Sequence, residues 1–162
     1  MKDVRLLDIS KLLVSIAICQ VAGLIGSVFT APSIPTWYAT LKKPWFTPPN
    51  WVFAPVWLTL FLLMGIAAFL VWRKSVRNRR VKMALAVFTV QLIVNVLWSV
   101  VFFGFKSPLA GLIVIVILWV AILLTLLYFF KVSRLAGFLL APYIAWVSVA
   151  AVLNTSILIL NL

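Results

Sequence analysis

A chain of 162 residues that is 66% apolar lies well above the roughly 45–50% of soluble domains, which excludes an ordinary soluble fold. Its charge is one-sided: 14 Lys and Arg stand against 2 acidic residues, for a net +12, and there is no histidine. With a single cysteine, Cys19, that composition excludes Ser-His-Asp catalysis, histidine ligation of zinc or haem, an internal disulfide and a cysteine metal cluster.

Five mostly apolar stretches fit the about 20 residues that a transmembrane helix needs: roughly 11–31, 51–72, 83–104, 109–130 and 136–160. They use nearly the whole chain, so the expectation is an all-α membrane protein, one domain over residues 1–162 built as a five-helix bundle. If the helices alternate in direction, eleven of the 14 basic residues share one side. These are Lys2, Arg5, Lys11, the run from Arg73 to Lys82, Lys131 and Arg134, against Lys42, Lys43 and Lys106 opposite. Positive charge stays cytoplasmic, which places the N-terminus inside and the C-terminus outside; the expected location is a prokaryotic cell membrane. That distribution reads as a topology signal against anionic headgroups rather than a nucleic-acid surface.

The N-terminal apolar run reaches Phe29, longer than a signal-peptide core, and reads as helix one. Along it Cys19, Gly23, Gly26 and Thr30 form a stripe of small side chains for close packing, against another helix of the chain or against a second copy. Next comes WYATLKKPWFTPPNWVFAPVW, residues 37–57, with four of the eight tryptophans and four of the eight prolines. Pro44, Pro48 and Pro49 make a semi-rigid connector, able to act as a lid, with Asn50 as the expected N-cap of helix two. Its rings suit either a membrane interface or the rim of a pocket for a flat apolar ligand.

On helix two, Trp57, Phe61, Met64, Ala68 and Trp72 share one face, Trp72 as an interface anchor beside Arg73. On helix three, Gln91, Asn95, Trp98 and Phe102 do the same, and two amides in hydrocarbon must look inward, to neighbouring helices or to a cavity. Ser107 and Pro108 read as N-cap and first-turn proline after a tight hairpin from Gly104. Helix four is plain, facing lipid over much of its circumference. On helix five, Tyr143, Trp146, Ala150, Leu153, Asn154 and Ile157 fall in one arc, and Pro142 frees a backbone group one turn earlier. Three inward faces thus carry aromatics, amides and small gaps with no charge mid-membrane, which suits a neutral, flat, largely apolar ligand.

WYATLKKPWFTPPNWVFAPVW, QLIVNVLWSVVFFG (91–104) and APYIAWVSVAAVLN (141–154) resemble the signature blocks of the TspO family, the tryptophan-rich sensory or translocator proteins, over about residues 37–154. The resemblance implies a five-helix bundle, often a homodimer. It also implies a pocket, closed by the first loop, that binds porphyrins such as protoporphyrin IX, sterols and benzodiazepine-type ligands, with no cofactor required. By motif, pocket residues are Tyr38, Trp57, Phe61, Asn95, Trp146 and Ala150; the helical faces add Trp98 and Leu153. Three functions stay open: a tetrapyrrole receptor or carrier, light-dependent degradation of protoporphyrin through Trp57 and Trp146, and a membrane stress or lipid scaffold. With helix five ending close to Leu162, no counterpart of the C-terminal sterol motif of animal relatives is expected, a departure that counts against sterol binding. A reporter fused after Leu162 is expected outside and one inserted near Asn78 inside; both on one side would mean that the spans are miscounted.

Overall fold

The computed structural model describes residues 2–162, with side chains from Leu6 onward, so the side chains of Lys2 and Arg5, counted above, lie outside the described residues. Helix α1 runs over Lys2–Ser33, a single turn α2 over Trp37–Thr40, α3 over Asn50–Trp72 and α4 over Arg79–Ser99. Helix α4 continues as a π turn, Val100–Gly104, before α5 at Pro108–Val132, α6 at Arg134–Leu139 and α7 at Ala141–Leu160. Among the described residues there is no strand. Five helical stretches are long and apolar enough to cross a membrane: Leu6–Ser33, Asn50–Trp72, Arg79–Gly104, Pro108–Val132 and Arg134–Leu160.

Local chemistry explains most boundaries. Ser107 caps α5 through its Oγ, 3.3 Å from the amide of Ala110, with Pro108 in the first turn. Ser133 caps α6 in the same way, and Asn78 Oδ1 accepts from the amide of Arg80 at 2.8 Å to start α4. The last apolar stretch is two helices that meet at Leu140, because Pro142 has no N–H to bond back into the preceding turn. Pro49, not the expected Asn50, is the N-cap of α3, and no side chain caps it. Helix α1 also starts earlier than hydropathy alone indicates, since its charged first turns remain helical.

The π turn was not legible in the sequence. A regular helix would place Phe102 and Phe103 about 100° apart; the wider turn, closed by the Phe105 amide on the Val100 carbonyl at 2.9 Å, buries Val101, Phe102 and Phe103 together. It also presents the Phe103 carbonyl to Ser33 Oγ at 3.0 Å, tying the end of α1 to α4. Lys106, at φ 54°, takes the left-handed step that turns the chain into α5.

Packing closes the bundle in the order α1, α4, α5, α6 with α7, then α3 back to α1. At the end away from the first loop, Asp8 pairs with Arg73 at 3.3 Å, and Lys11 and Arg73 sit over the rings of Trp72 and Phe69. Trp45 and Trp51, 95% and 74% exposed, stand at the other end. Helix α5 is less plain than its sequence: the Trp119 indole donates to Ser148 Oγ of α7 at 2.9 Å.

The α1–α3 seam is tightest at Gly65, where a Cβ would lie 2.6 Å from the Ile16 Cα. Backbone cannot rotate away. Gly65→Ala is therefore expected to destabilise the protein by about 1–3 kcal/mol of overpacking, against a helix-propensity gain of about 0.5–1. Thermal unfolding in detergent checks it. Gly26→Ala, which meets only the Ser99 side chain, its hydroxyl at 3.0 Å and its Cβ at 3.4 Å, is expected to cost less; equal melting of Gly65→Ala and wild type would refute the seam.

Candidate ligand-binding site

A cavity of about 300 Å³ lies at the first-loop end of the bundle, walled by α1, α3 and α4 with its π turn, and reached from the loop by Tyr38. Its rings form a connected set. Trp57 lies 5.7 Å from Phe61 and 6.5 Å from Trp98, tilted by 32° and 30°, and Trp98 stacks on Phe102 at 5.4 Å. Phe103 meets Trp98 edge-on at 5.8 Å, and Tyr38 at 5.9 Å. Among the described residues no charged side chain lines the space.

Most polar groups around it are committed elsewhere. The Asn95 amide donates to the Tyr143 hydroxyl at 2.8 Å, and that hydroxyl donates to Gln91 Oε1 at 3.0 Å. Trp98 Nε1 points at Asn154 Oδ1 at 3.5 Å, while the Asn154 amide donates to the Pro108 carbonyl at 2.8 Å. Thus the amide face of α4 is at once bundle glue and cavity wall. The two roles left open by its sequence coincide. Ser27 and Thr30 spend their hydroxyl protons on carbonyls of their own helix. Tyr38 differs: its hydroxyl is buried with no hydrogen-bond partner among the described residues.

The loop holds Tyr38 in place. Lys43 Nζ donates to the carbonyls of Tyr38 and Leu41 at 2.8 and 3.0 Å, and lies 4.9 Å above the Tyr38 ring. From the far end of the chain, Asn161 accepts from the Lys42 amide at 3.0 Å and donates to the Lys42 carbonyl at 2.9 Å.

Of the residues expected at the site, Tyr38, Trp57, Phe61, Asn95 and Trp98 line this cavity. Trp146, Ala150 and Leu153 do not. Trp146 is half-buried between α3 and α7, edge-on to Phe53 at 5.9 Å, and lines an outer groove of about 580 Å³. Its Nε1 is also without a partner among the described residues. Ala150 and Leu153 pack into the core. What the sequence reading missed is the α1 wall: Gln20, Gly23, Leu24, Gly26, Ser27 and Thr30 all face the cavity. Its signal was the small-residue stripe, read as packing surface. Gly23 does pack, since a Cβ there would lie 2.6 Å from the Phe61 ring, yet the same lack of side chains leaves room.

Burial pushes the Tyr38 phenol from its ordinary value of 10.0 up to about 12. Above about pH 10 the unfolded chain gives up a proton that the folded state keeps, so this contribution is complete below pH 10 and is lost between about 10 and 12. Tyr38→Phe removes a hydroxyl that lacks a partner and is expected to leave neutral-pH stability nearly unchanged. Across that alkaline window, wild type should lose stability relative to the variant in denaturant titrations. Parallel curves would show that Tyr38 is not buried in solution.

The family model of the TspO/MBR family matches residues 15–160. Among curated proteins, a "Tryptophan-rich protein TspO" of Archaeoglobus fulgidus is 46% identical over 156 residues, 96% of this chain and 99% of that protein. Another of the same name from Chlorobaculum tepidum is 45% identical over 95% of this chain and 98% of its own length. The human "Translocator protein" is 36% identical over 80% of this chain and 78% of its length. With the match reaching all five apolar helices, this chain belongs to the TspO/MBR family and is an integral, multi-pass membrane protein.

Proposed function

We propose that the protein is a membrane receptor or carrier for tetrapyrroles, protoporphyrin IX among them, held against Trp57 with Tyr38 and the first loop as roof. The observation that carries this reading is an uncharged cavity whose walls are connected aromatic rings and whose roof offers one unpartnered hydroxyl. Flat π-systems stack on such rings, and the hydroxyl suits an acceptor on the ligand. At about 300 Å³ the space sits at the small end of ligand pockets, roughly 300–1,000 Å³. A macrocycle is therefore held by part of its ring, with its acidic edge toward the headgroups on the loop side. The names of two relatives, a tryptophan-rich sensory protein of Cereibacter sphaeroides and the human translocator protein, are in keeping with such a role.

Light-driven oxidation of the bound pigment is the second reading, favoured by two easily oxidised indoles, Trp57 and Trp98, 6.5 Å apart in one cavity. Trp146, the other indole expected to take part, lies outside it.

Titrating purified protein with protoporphyrin IX in the dark, followed by tryptophan quenching, is the direct test. Trp57→Phe is expected to weaken binding by about two- to tenfold, because stacking adds about 0.5–1.5 kcal/mol and a phenyl ring keeps much of the contact. Trp45→Phe, at an exposed position, should behave as wild type. With no histidine in the chain, the iron and metal-free porphyrins should bind alike; strong iron selectivity would overturn the stacking reading. Under light, loss of pigment bleaching in Trp57→Phe with binding retained would establish the degradative reading. Bleaching at the wild-type rate would reject it.

A further inference from the structure

We propose that the ligand enters and leaves this cavity sideways from the bilayer, through a slot between the loop-side halves of α1 and α3, while the first loop stays shut. The inference rests on the ligand-binding reading above and adds its route.

The slot is visible in residues that belong to two surfaces at once. Leu24 and Leu58 line the cavity and are 61% and 57% exposed on the membrane-facing outside of the bundle. Ser27 and Ala31 of α1 and Ala54 of α3 also both line it and are exposed. In an antiparallel pair that brings Gly23 onto Phe61 and Ile16 onto Gly65, Ser27 and Ala54 come opposite each other, and two small side chains leave a gap there. Further from the loop the same helices close completely, with the Gly65 backbone against that of Ile16. Between gap and seam, Gln20 Nε2 donates to the Leu58 carbonyl at 3.2 Å and marks the sill of the opening.

Entry under the loop would have to undo much more. Asn161 clasps the Lys42 backbone through both its amide and its carbonyl, and Lys43 holds the Tyr38 and Leu41 carbonyls. Ser33 ties the start of the loop to the π turn. Opening the slot needs only the Leu24 and Leu58 side chains to change rotamer, which exposed residues do within nanoseconds. A flat apolar ligand is concentrated in the bilayer by the same hydrophobic effect that excludes it from water, so its reservoir lies on the slot side.

The test reconstitutes the protein in phosphatidylcholine vesicles in a Cys19→Ser background. In Leu24→Cys/Leu58→Cys the slot is bridged by a short bifunctional thiol reagent; in Lys42→Cys/Asn161→Cys the loop is stapled in the same way. Stopped-flow quenching by protoporphyrin IX preloaded in the vesicles should show uptake and release slowed by about tenfold or more with the slot bridged, and unchanged with the loop stapled. Ala54→Leu, which narrows the gap without cross-linking, should also slow both rates. A stapled loop that stops exchange, with a bridged slot that leaves it at the wild-type rate, would overturn the proposal. A second readout is independent of the pigment: Ser99→Cys, in the cavity wall, should react with the neutral reagent N-ethylmaleimide quickly when the loop is stapled and slowly when the slot is bridged. If no variant binds porphyrin but this pattern holds, the tetrapyrrole reading fails and the slot stands. If maleimide labelling is blocked by the staple and not by the bridge, the slot fails.

Discussion

One phenol holds the centre of the bundle together. Tyr143 of α7 accepts from Asn95 and donates to Gln91, both on α4, and it does so in a region where water cannot substitute for a missing partner. Two amides facing hydrocarbon would each be costly, and a tyrosine hydroxyl is both donor and acceptor, so it satisfies one demand of each. These bonds cross the interior between helices that are separated around the ring of the bundle by α5. They set the rotation of α4 about its axis, and with it the side of α4 that faces the cavity.

From that rotation follows the arrangement of the aromatic rings. With Asn95 turned to Tyr143, Trp98 one turn on reaches Asn154 and stacks on Phe102, while Trp57 of α3 fits between Trp98 and Tyr143 at 6.5 and 6.3 Å. The π turn then adds Phe103 to the same wall, where it meets Tyr38 from the loop. The cavity is thus a by-product of satisfying polar groups on one side of α4 and packing rings on the other. Its boundary on α1 is made largely from small residues, glycine, alanine, serine and threonine, with Gln20 and Leu24 among them, and the small ones leave it unfilled.

The tryptophans divide by surroundings rather than by count. Trp45 and Trp51 are exposed at the loop end, where amphipathic rings sit well among headgroups. Trp72 lies beneath Lys11 at the opposite end. Trp57 and Trp98 face the cavity, and Trp119 bonds α5 to α7. Trp146 fills part of the joint between α3 and α7, a position that gives its indole nitrogen no partner among the described residues.

The amino-acid sequence by itself determined the five crossings, because about 20 apolar residues in a row have no other stable place. It also determined which residues share a face on each helix, because the 3.6-residue period is local: Gln91, Asn95 and Trp98 point the same way in the structure as in the wheel. Tertiary structure alone decided which faces meet. Periodicity gives an angle within one helix and says nothing of its neighbour, so the arc of Trp146, Ala150 and Leu153 was drawn as inward-looking, whereas Leu153 is buried in the core and Trp146 lines an outer groove away from this cavity. For the same reason the glycine stripe of α1 read as a contact surface and proved to be a contact below and a cavity wall above. Whether a missing side chain brings backbones together or leaves space depends on the residue opposite. Gly65 has the Ile16 backbone there, whereas Gly26 meets only the Ser99 side chain and lines the cavity.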